Sequence, residues 1–335
     1  MSALYPPPAD PIDGPGVLGR LRRLDRCATA EGLLAIAAID HPARLLGPAG
    51  GPTPSRGTVV GRKLALIAAL APHASGFLLD PELSIAEAAV SGVLPGSSGM
   101  IANIEQLRET DTGFDRRVDL RPGWDPARIA ASGADGVKFV FFHRAELPDA
   151  QHEVERVTAL VADCHAVGLP CVIEPLWYPQ EGEDPEDPTV THERAKAIVT
   201  EAARFAACGA DVLKVQFPGG VTDPSARTSA RSACRELDAA LPVPWVLLSE
   251  AVGYDDFRMQ VEIAAAEGSS GFMAGRAVWS EVASSNGSSA SIALAAERLA
   301  KLRAVIDANG RPWRERVPAD SVASAVTEGW WSSDG

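Results

Sequence analysis

Eight short, β-rich apolar runs recur along this chain, separated by longer stretches of helical periodicity, and that alternation limits the fold more than any other feature. The runs are LAIAAI (34–39), GFLLD (76–80), GMIAN (99–103), GVKFVFF (136–142), PCVIEP (170–175), DVLKVQF (211–217), PWVLLS (244–249) and GFMAGR (271–276). Most are apolar throughout, as strands are when helices cover both faces of a parallel sheet. Between them lie amphipathic segments such as AQHEVERVTALVADCHAVG and THERAKAIVTEAARFAACGA. Gly168, Gly209 and Gly268 stand where left-handed caps would end three of these helices just before the next strand. Eight βα units across residues 33–306 predict an α/β fold, a (β/α)8 TIM barrel. A doubly wound sheet has fewer strands and a Gly-rich turn after the first, and no GxGxxG follows the first run here. The second and third units are the least regular, because the helix between them, about 83–92, is short and is followed by Gly- and Ser-rich sequence. The barrel is expected over residues 26–306, with an N-terminal arm at 1–25 and a C-terminal tail at 307–335. The tail tryptophans, Trp313, Trp330 and Trp331, are expected to cover the barrel bottom or a subunit contact.

Composition removes several functional classes. The 335 residues carry a formal charge of −13, which argues against a nucleic-acid or anionic-membrane partner, and no basic patch offsets it. No window reaches about 18 uninterrupted apolar residues, so no membrane-spanning helix is expected. The opening MSALYPPPADPIDGPG is acidic and proline-rich where a secretory signal needs a basic segment and an apolar one. Five cysteines with no CxxC pairing argue against a disulfide framework or a structural zinc site, and a cytoplasmic setting is expected.

In such a barrel the chemistry gathers at the C-terminal ends of the strands. Strand alternation turns Lys214 inward with Val212 and Gln216, Lys138 inward with Val140 and Phe142, and Glu174 inward with Val172. The first run ends at Asp40 and His41, the seventh at Ser249, and the eighth at Gly275 and Arg276. The chain has only five lysines among its 31 basic residues, so two in apolar strands are conspicuous. Lys63, Lys196 and Lys301 fall on helical segments and need no special account. A buried ammonium costs several kcal/mol and persists when it is paired or put to a task. One inward lysine reads equally well as an ion pair with Glu174 or Asp40. Two, with a carboxylate on the strand between them, predict imine chemistry on a carbonyl: a second cation keeps one amine neutral, and the carboxyl moves protons.

Small residues and Arg276 after the last two strands suit a substrate phosphate, although Gly253 and Gly275 also read simply as tight turns. The six histidines include no HxH or HExxH pair, so no metal site is expected. His152, His165 and His192 read as solvated groups, and His143, after the fourth strand, as an incidental loop residue. The acidic run EGEDPEDP (181–188) reads as a solvated loop whose prolines delay the next helix to near Thr191, and it is placed to act as a lid.

The segments AIDHPARLL (38–46), GFLLDPEL (76–83), GADGVKFVFF (133–142), PCVIEPLWY (170–178), ADVLKVQFP (210–218), PWVLLSEAV (244–252) and GFMAGRAVWSE (271–281) resemble class I aldolases of the tagatose-1,6-bisphosphate aldolase type. Relatives of that family include sulfofructose-phosphate aldolases and, more distantly, deoxyribose-phosphate aldolases. The resemblance spans about residues 33–300 and rests most on DVLKV, VKF and AGRAVW taken together. It implies that Lys214 is the Schiff-base lysine, that Glu174 shuttles protons, and that Asp40 and Lys138 line the reacting end. It further implies that Ser249, Gly275 and Arg276 hold the phosphate of a dihydroxyacetone phosphate half. A metal-independent, cofactor-free lyase acting on a phosphorylated sugar, and a homo-oligomer, are the corresponding expectations. The family's Asp-Gln-Arg-Gly after the first strand is here Asp40-His41-Pro42-Ala43-Arg44, a form closer to barrel proteins of inositol breakdown. His41 therefore stands where the sugar would be read, and sulfofructose phosphate or a deoxy-keto-gluconate phosphate stay open beside tagatose or fructose bisphosphate. Two other readings stay open as well: a phosphosugar isomerase or epimerase with Glu174 as base, and a barrel that binds without catalysis.

Overall fold

The computed structural model describes residues 14–317 apart from residues 48, 111–112, 185–186 and 251. Among the described residues ten strands form: β1 (Leu34–Ala38), β2 (Gly76–Leu79), β3 (Gly99–Asn103), β4 (Glu105–Thr110), β5 (Gly113–Leu120), β6 (Gly136–Phe142), β7 (Cys171–Leu176), β8 (Val212–Val215), β9 (Trp245–Leu248) and β10 (Gly271–Ala274). Eight of them close a parallel barrel in the order β1-β10-β9-β8-β7-β6-β3-β2, and these eight are the apolar runs of the sequence. The remaining two, β4 and β5, make an antiparallel hairpin inserted after β3, which the count of apolar runs does not contain.

The helices are α1 (Gly14–Arg26), α2 (Arg56–Leu70), α3 (Ile85–Ser91), α4 (Pro126–Ala131), α5 (Ala150–Ala166), α6 (Pro188–Ala206), α7 (Pro224–Ala240), α8 (Tyr254–Ala266), α9 (Arg276–Ser284) and α10 (Ser289–Asn309). Gly168, Gly209 and Gly268 take φ of 66°, 91° and 109°, the left-handed turn expected of them between helix and strand. The helix after the acidic run begins at Pro188 and not near Thr191, with the Asp187 carboxylate accepting from the Thr189 backbone N–H. Proline is tolerated at a first helical position because its missing N–H has no partner there in any case. Among the described residues no helix is long and apolar enough to cross a membrane.

Side-chain alternation builds two cores. Leu213, Val215 and Phe217 pack outward with the helices, whereas Leu34, Ile36, Leu78, Ile101, Val172, Val212, Val246 and Met273 fill the barrel interior. Below that interior, Leu24 of α1, Cys27 just after it and the fully buried Trp313 close the bottom. The segment read as an arm thus includes a helix, whose Leu24 recurs at helical spacing after Val17 and Leu21. It is tied down by Arg23, which donates to the Gly168 carbonyl, and by Arg26, which pairs with Asp135 at 3.2 Å. Arg314 beside Trp313 pairs with Asp25 of α1, so the first and last of the described segments meet under the barrel. Trp330 and Trp331 lie outside the described residues.

Candidate active site

At the opposite end, the strand termini surround a cavity of about 970 Å³, ample for a phosphorylated sugar. Its wall includes Asp40, His41, Lys138, Glu174, Lys214, Ser249, Gly275 and Arg276, so all eight residues singled out in the sequence come together there.

Lys214 on β8 and Glu174 on β7 face each other, with the Lys214 Nζ 3.0 Å from each carboxylate oxygen. The same carboxylate lies 2.8 Å from the Lys138 Nζ on β6. Glu174 therefore joins the two amines, which sit no further apart than those two contacts laid end to end. All three side chains are buried. Lys138 has two more anionic neighbours, Glu105 Oε1 at 2.7 Å and Asp40 Oδ2 at 3.5 Å. Burial alone would drive Lys138 towards the neutral amine, but Glu105, Glu174 and Asp40 together outweigh it and hold the ammonium above the ordinary lysine range. The carboxylates diverge in turn. Burial opposes the charge on Asp40, yet Lys138 and the surrounding cations win and bring it down to about 2, whereas burial prevails at Glu105 and raises its pKa.

Glu105 was not visible in the sequence reading. Past the end of β3 the chain continues beside β6, with the Ile104 N–H donating to the Lys138 carbonyl at 3.0 Å, and the next residue swings its carboxylate over the Lys138 amine. It is also the first residue of the hairpin, so the insertion delivers a charge to the barrel mouth.

The other side of the cavity is built by β9, β10 and α9. Gly275 caps α9, and its N–H donates to the Ser249 hydroxyl at 3.3 Å. A Cβ at this glycine would lie 2.6 Å from the His41 ring, so the approach of His41 excludes a side chain there. His41 packs edge-on against Trp279, with ring centroids 5.0 Å apart, and Trp279 donates to the Ala38 carbonyl at 3.0 Å. His41 thus borders the Gly275 and Arg276 side of the cavity. Its desolvation, reinforced by Arg276 against the pull of Asp40, lowers its pKa to about 3, and the imidazole is neutral. The Arg276 guanidinium begins α9 at the cavity wall, next to the positive end of that helix.

Glu250, on the turn after β9, adds strain to this rim: its φ is 41°, in the left-handed region that a side chain rarely occupies. Arg194 grips it through both carboxylate oxygens, at 2.9 and 2.7 Å, and Gln216, just past the end of β8, donates to it.

Three residues read as incidental have defined partners. Lys63 on α2 is fully buried and ion-paired with Asp80, a residue of the cavity wall, so it is no surface lysine. His165 bonds Asp211 at 2.8 Å, while His143 is buried against Phe205 with its Nε2 2.8 Å from a Glu201 oxygen, away from the cavity. In the acidic run, Glu183 is bound by Arg144, which also stacks on Trp177 of the cavity wall, 4.7 Å from the ring centroid. Pro185 and Glu186 of that run lie outside the described residues. The cysteine thiols are all free and buried, and burial pushes that of Cys234 up to about 12.

The family description "DeoC/LacD family aldolase" matches this chain over residues 62–281. A tagatose 1,6-diphosphate aldolase of Streptococcus agalactiae serotype V is 24% identical over 276 residues, covering 77% of this chain and 84% of that protein. Tagatose 1,6-diphosphate aldolase 2 of Streptococcus pyogenes serotype M1 is 27% identical over 273 residues, with coverage of 74% and 82%. Among solved structures, a fructose-bisphosphate aldolase from Slackia heliotrinireducens shares the fold with a TM-score of 0.61 at 18% identity, covering 91% of this chain and 94% of that one.

Proposed function

The chain belongs to the DeoC/LacD family of aldolases, which are carbon–carbon lyases, and from that premise we propose that it cleaves a phosphorylated ketose through a Schiff base on Lys214. The observation that carries this reading is the Glu174 carboxylate held between two buried amines, 3.0 Å from Lys214 and 2.8 Å from Lys138. An imine requires an amine that gives up its proton, and Glu174 is in place to take it. The unpaired amine attacks the ketone carbon to give a carbinolamine, whose hydroxyl leaves as water after Glu174 returns a proton. The protonated imine then draws the electron pair of the breaking C–C bond, as the hydroxyl on the far carbon loses its proton and becomes the carbonyl of the departing aldehyde. The enamine of dihydroxyacetone phosphate left on Lys214 is protonated, and water releases it.

Lys138 stays charged throughout and fixes Glu174, with Asp40 beside it at the reacting end. Ser249, Gly275 and Arg276 hold the phosphate, a task for which a helix start and a guanidinium on one wall are suited. Relatives named tagatose 1,6-diphosphate aldolase support a ketose bisphosphate as substrate. The His41 substitution of the family's Asp-Gln motif keeps sulfofructose phosphate and a deoxy-keto-gluconate phosphate as the alternatives. A cytoplasmic setting fits the five free, buried cysteines, and the family resemblance implies a homo-oligomer.

Borohydride trapping tests the mechanism. With substrate present, reduction should leave a covalent adduct on the peptide that contains Lys214. Turnover without any adduct would favour an isomerase or epimerase that uses Glu174 as base, and full lyase activity in Lys214→Ala would remove this lysine from the chemistry.

A further inference from the structure

The retro-aldol reading assigns one end of the substrate to Arg276. The opposite end of the cavity holds a second arginine that this reading leaves without a task. In the closed strand order β3 stands four places from β9, and β6 four places from β10, so each pair is diametrically opposed. Ser249 and Arg276 follow β9 and β10. Arg121 follows the hairpin and is pinned over β3 and β6, its N–H donating at 2.7 Å to the carbonyl of Ile104, whose own N–H bonds to the Lys138 carbonyl at 3.0 Å. Arg121 and Arg276 both line the cavity, on opposite rims, with Lys138, Glu174 and Lys214 on the arc between them.

The surroundings of Arg121 suit an exchangeable anion. Its side chain is 13% exposed, and its Nη1 pairs at 3.1 Å with Glu82, whose own side chain is 55% exposed. With its carboxylate at the surface, such a pair yields to a stronger acceptor more readily than one buried on both sides, because Glu82 can move into water. Its Nη2 donates to the Glu105 carbonyl at 3.1 Å, which aims the guanidinium from the residue that also holds Lys138. Its Nε is buried and has no hydrogen-bond partner among the described residues. A guanidinium fork with one weakly held partner is matched to a phosphate-like oxyanion, which takes two parallel hydrogen bonds.

We propose that Arg121 determines specificity for the aldehyde half of the substrate by binding a second oxyanion at the end remote from Arg276, with Glu82 swinging into solvent as that anion enters. The proposal rests on the aldolase reading and adds to it the residue that reads the far end of the aldehyde, where a phosphate or a sulfonate would sit. The hairpin then has a function beyond its fold, since it brings in the anion-binding Arg121 and the Lys138 partner Glu105 together.

The test runs in the condensation direction, with dihydroxyacetone phosphate saturating and three aldehydes compared: glyceraldehyde, glyceraldehyde 3-phosphate, and the three-carbon aldehyde carrying a sulfonate in place of the phosphate. The wild-type protein should favour one of the anionic aldehydes over glyceraldehyde by about tenfold or more in kcat/KM, and the better of the two identifies the oxyanion. Arg121→Gln should raise KM for that aldehyde by roughly tenfold or more while leaving kcat/KM for glyceraldehyde within about twofold. Arg121→Lys, which keeps the charge without the fork, should restore part of the preference. Equal loss on all three aldehydes would make Arg121 a strut of the hairpin and overturn the proposal, as would an unaltered preference in Arg121→Gln or none in the wild type. Failure of the aldolase reading looks different: the wild type would then condense none of the three and give no borohydride adduct.

Discussion

Glu105 accepts a hydrogen bond from Lys138 at 2.7 Å, and it reaches that amine from outside the barrel, as the first residue of an inserted hairpin. Without it, Lys138 would share Glu174 and Asp40 with the rest of the site; with it, Lys138 has a carboxylate of its own. Glu174, although still 2.8 Å from Lys138, is then shared less and can serve the neighbouring Lys214, which it meets at 3.0 Å through each oxygen. A charge supplied by the insertion thus sets the division of roles among the strand residues.

Glu105→Gln tests that division. The amide keeps the shape and one acceptor but removes the charge, so Lys138 draws harder on Glu174 and pulls it from Lys214. We expect kcat to fall by roughly tenfold or more with KM little changed, and borohydride trapping to slow in step, since a proton-transfer group is displaced and not removed. Steady-state kinetics with a trapping time course measure both, and unchanged values would reduce Glu105 to a structural counterion.

Arg276 should behave differently from the lysines. Its replacement by alanine removes the guanidinium proposed to hold the phosphate, so the loss is expected mainly in binding. Arg276→Ala is expected to raise KM for a phosphorylated substrate by roughly tenfold or more with a smaller effect on kcat. An unchanged KM would take Arg276 out of the phosphate site.

Two neighbouring groups should weaken the fold as the pH falls. His41 is neutral in the fold, its pKa lowered to about 3, whereas an unfolded histidine titrates near 6.5. Below about pH 6.5 the unfolded chain therefore binds a proton that the folded one refuses, and stability falls as pH drops towards 3, by up to about 1.4 kcal/mol per pH unit for that one proton. Asp40, held at about 2 by Lys138 and its neighbouring cations despite burial, acts in the same direction only below the ordinary aspartate range, from about pH 4 downwards. Urea unfolding of the wild type and His41→Asn between pH 7 and 4 should show a flatter dependence in the variant. Parallel curves would mean that His41 takes up its proton in the fold as readily as out of it.

The strands and the main site residues were legible because a barrel strand is apolar on both faces. A lysine or glutamate within one is conspicuous, and alternation states which way it points. The same logic is silent about Glu105, which lies two residues past the end of β3 in the polar stretch EQLRETDTGFDRRVDL. A two-stranded ribbon outside the barrel needs no continuous apolar face, so its sequence looks like a loop. α1 was hidden for a related reason: its arginines and the glycine and proline at its start outweigh the apolar positions that seat it under the barrel. Trp313 was legible as a cover for the barrel bottom or a subunit contact, and only its packing with Leu24, Cys27 and the barrel interior decides between the two.

Lys63 shows where composition reached its limit and supplies the last prediction. A lysine on a helical segment calls for no special account, yet this side chain is fully buried and its amine pairs with Asp80 at the cavity wall. Asp80 in turn accepts from the Leu83 N–H at 2.6 Å, the Glu82 N–H at 3.1 Å and the Ser84 hydroxyl at 2.8 Å, so the pair anchors the turn that leads into α3. Removing one member of a buried pair leaves the other charge without compensation, which costs about 3–5 kcal/mol, whereas neutralising both costs much less. Lys63→Met should therefore destabilise the protein by about that amount in denaturant unfolding, and adding Asp80→Asn, which keeps an acceptor for the turn, should recover a substantial part of the loss. If the two changes are simply additive, the ion pair contributes nothing through its charges and the turn is held by its hydrogen bonds alone. Of the five lysines, three then prove to be interior, and each sits beside a carboxylate at the same end of the barrel.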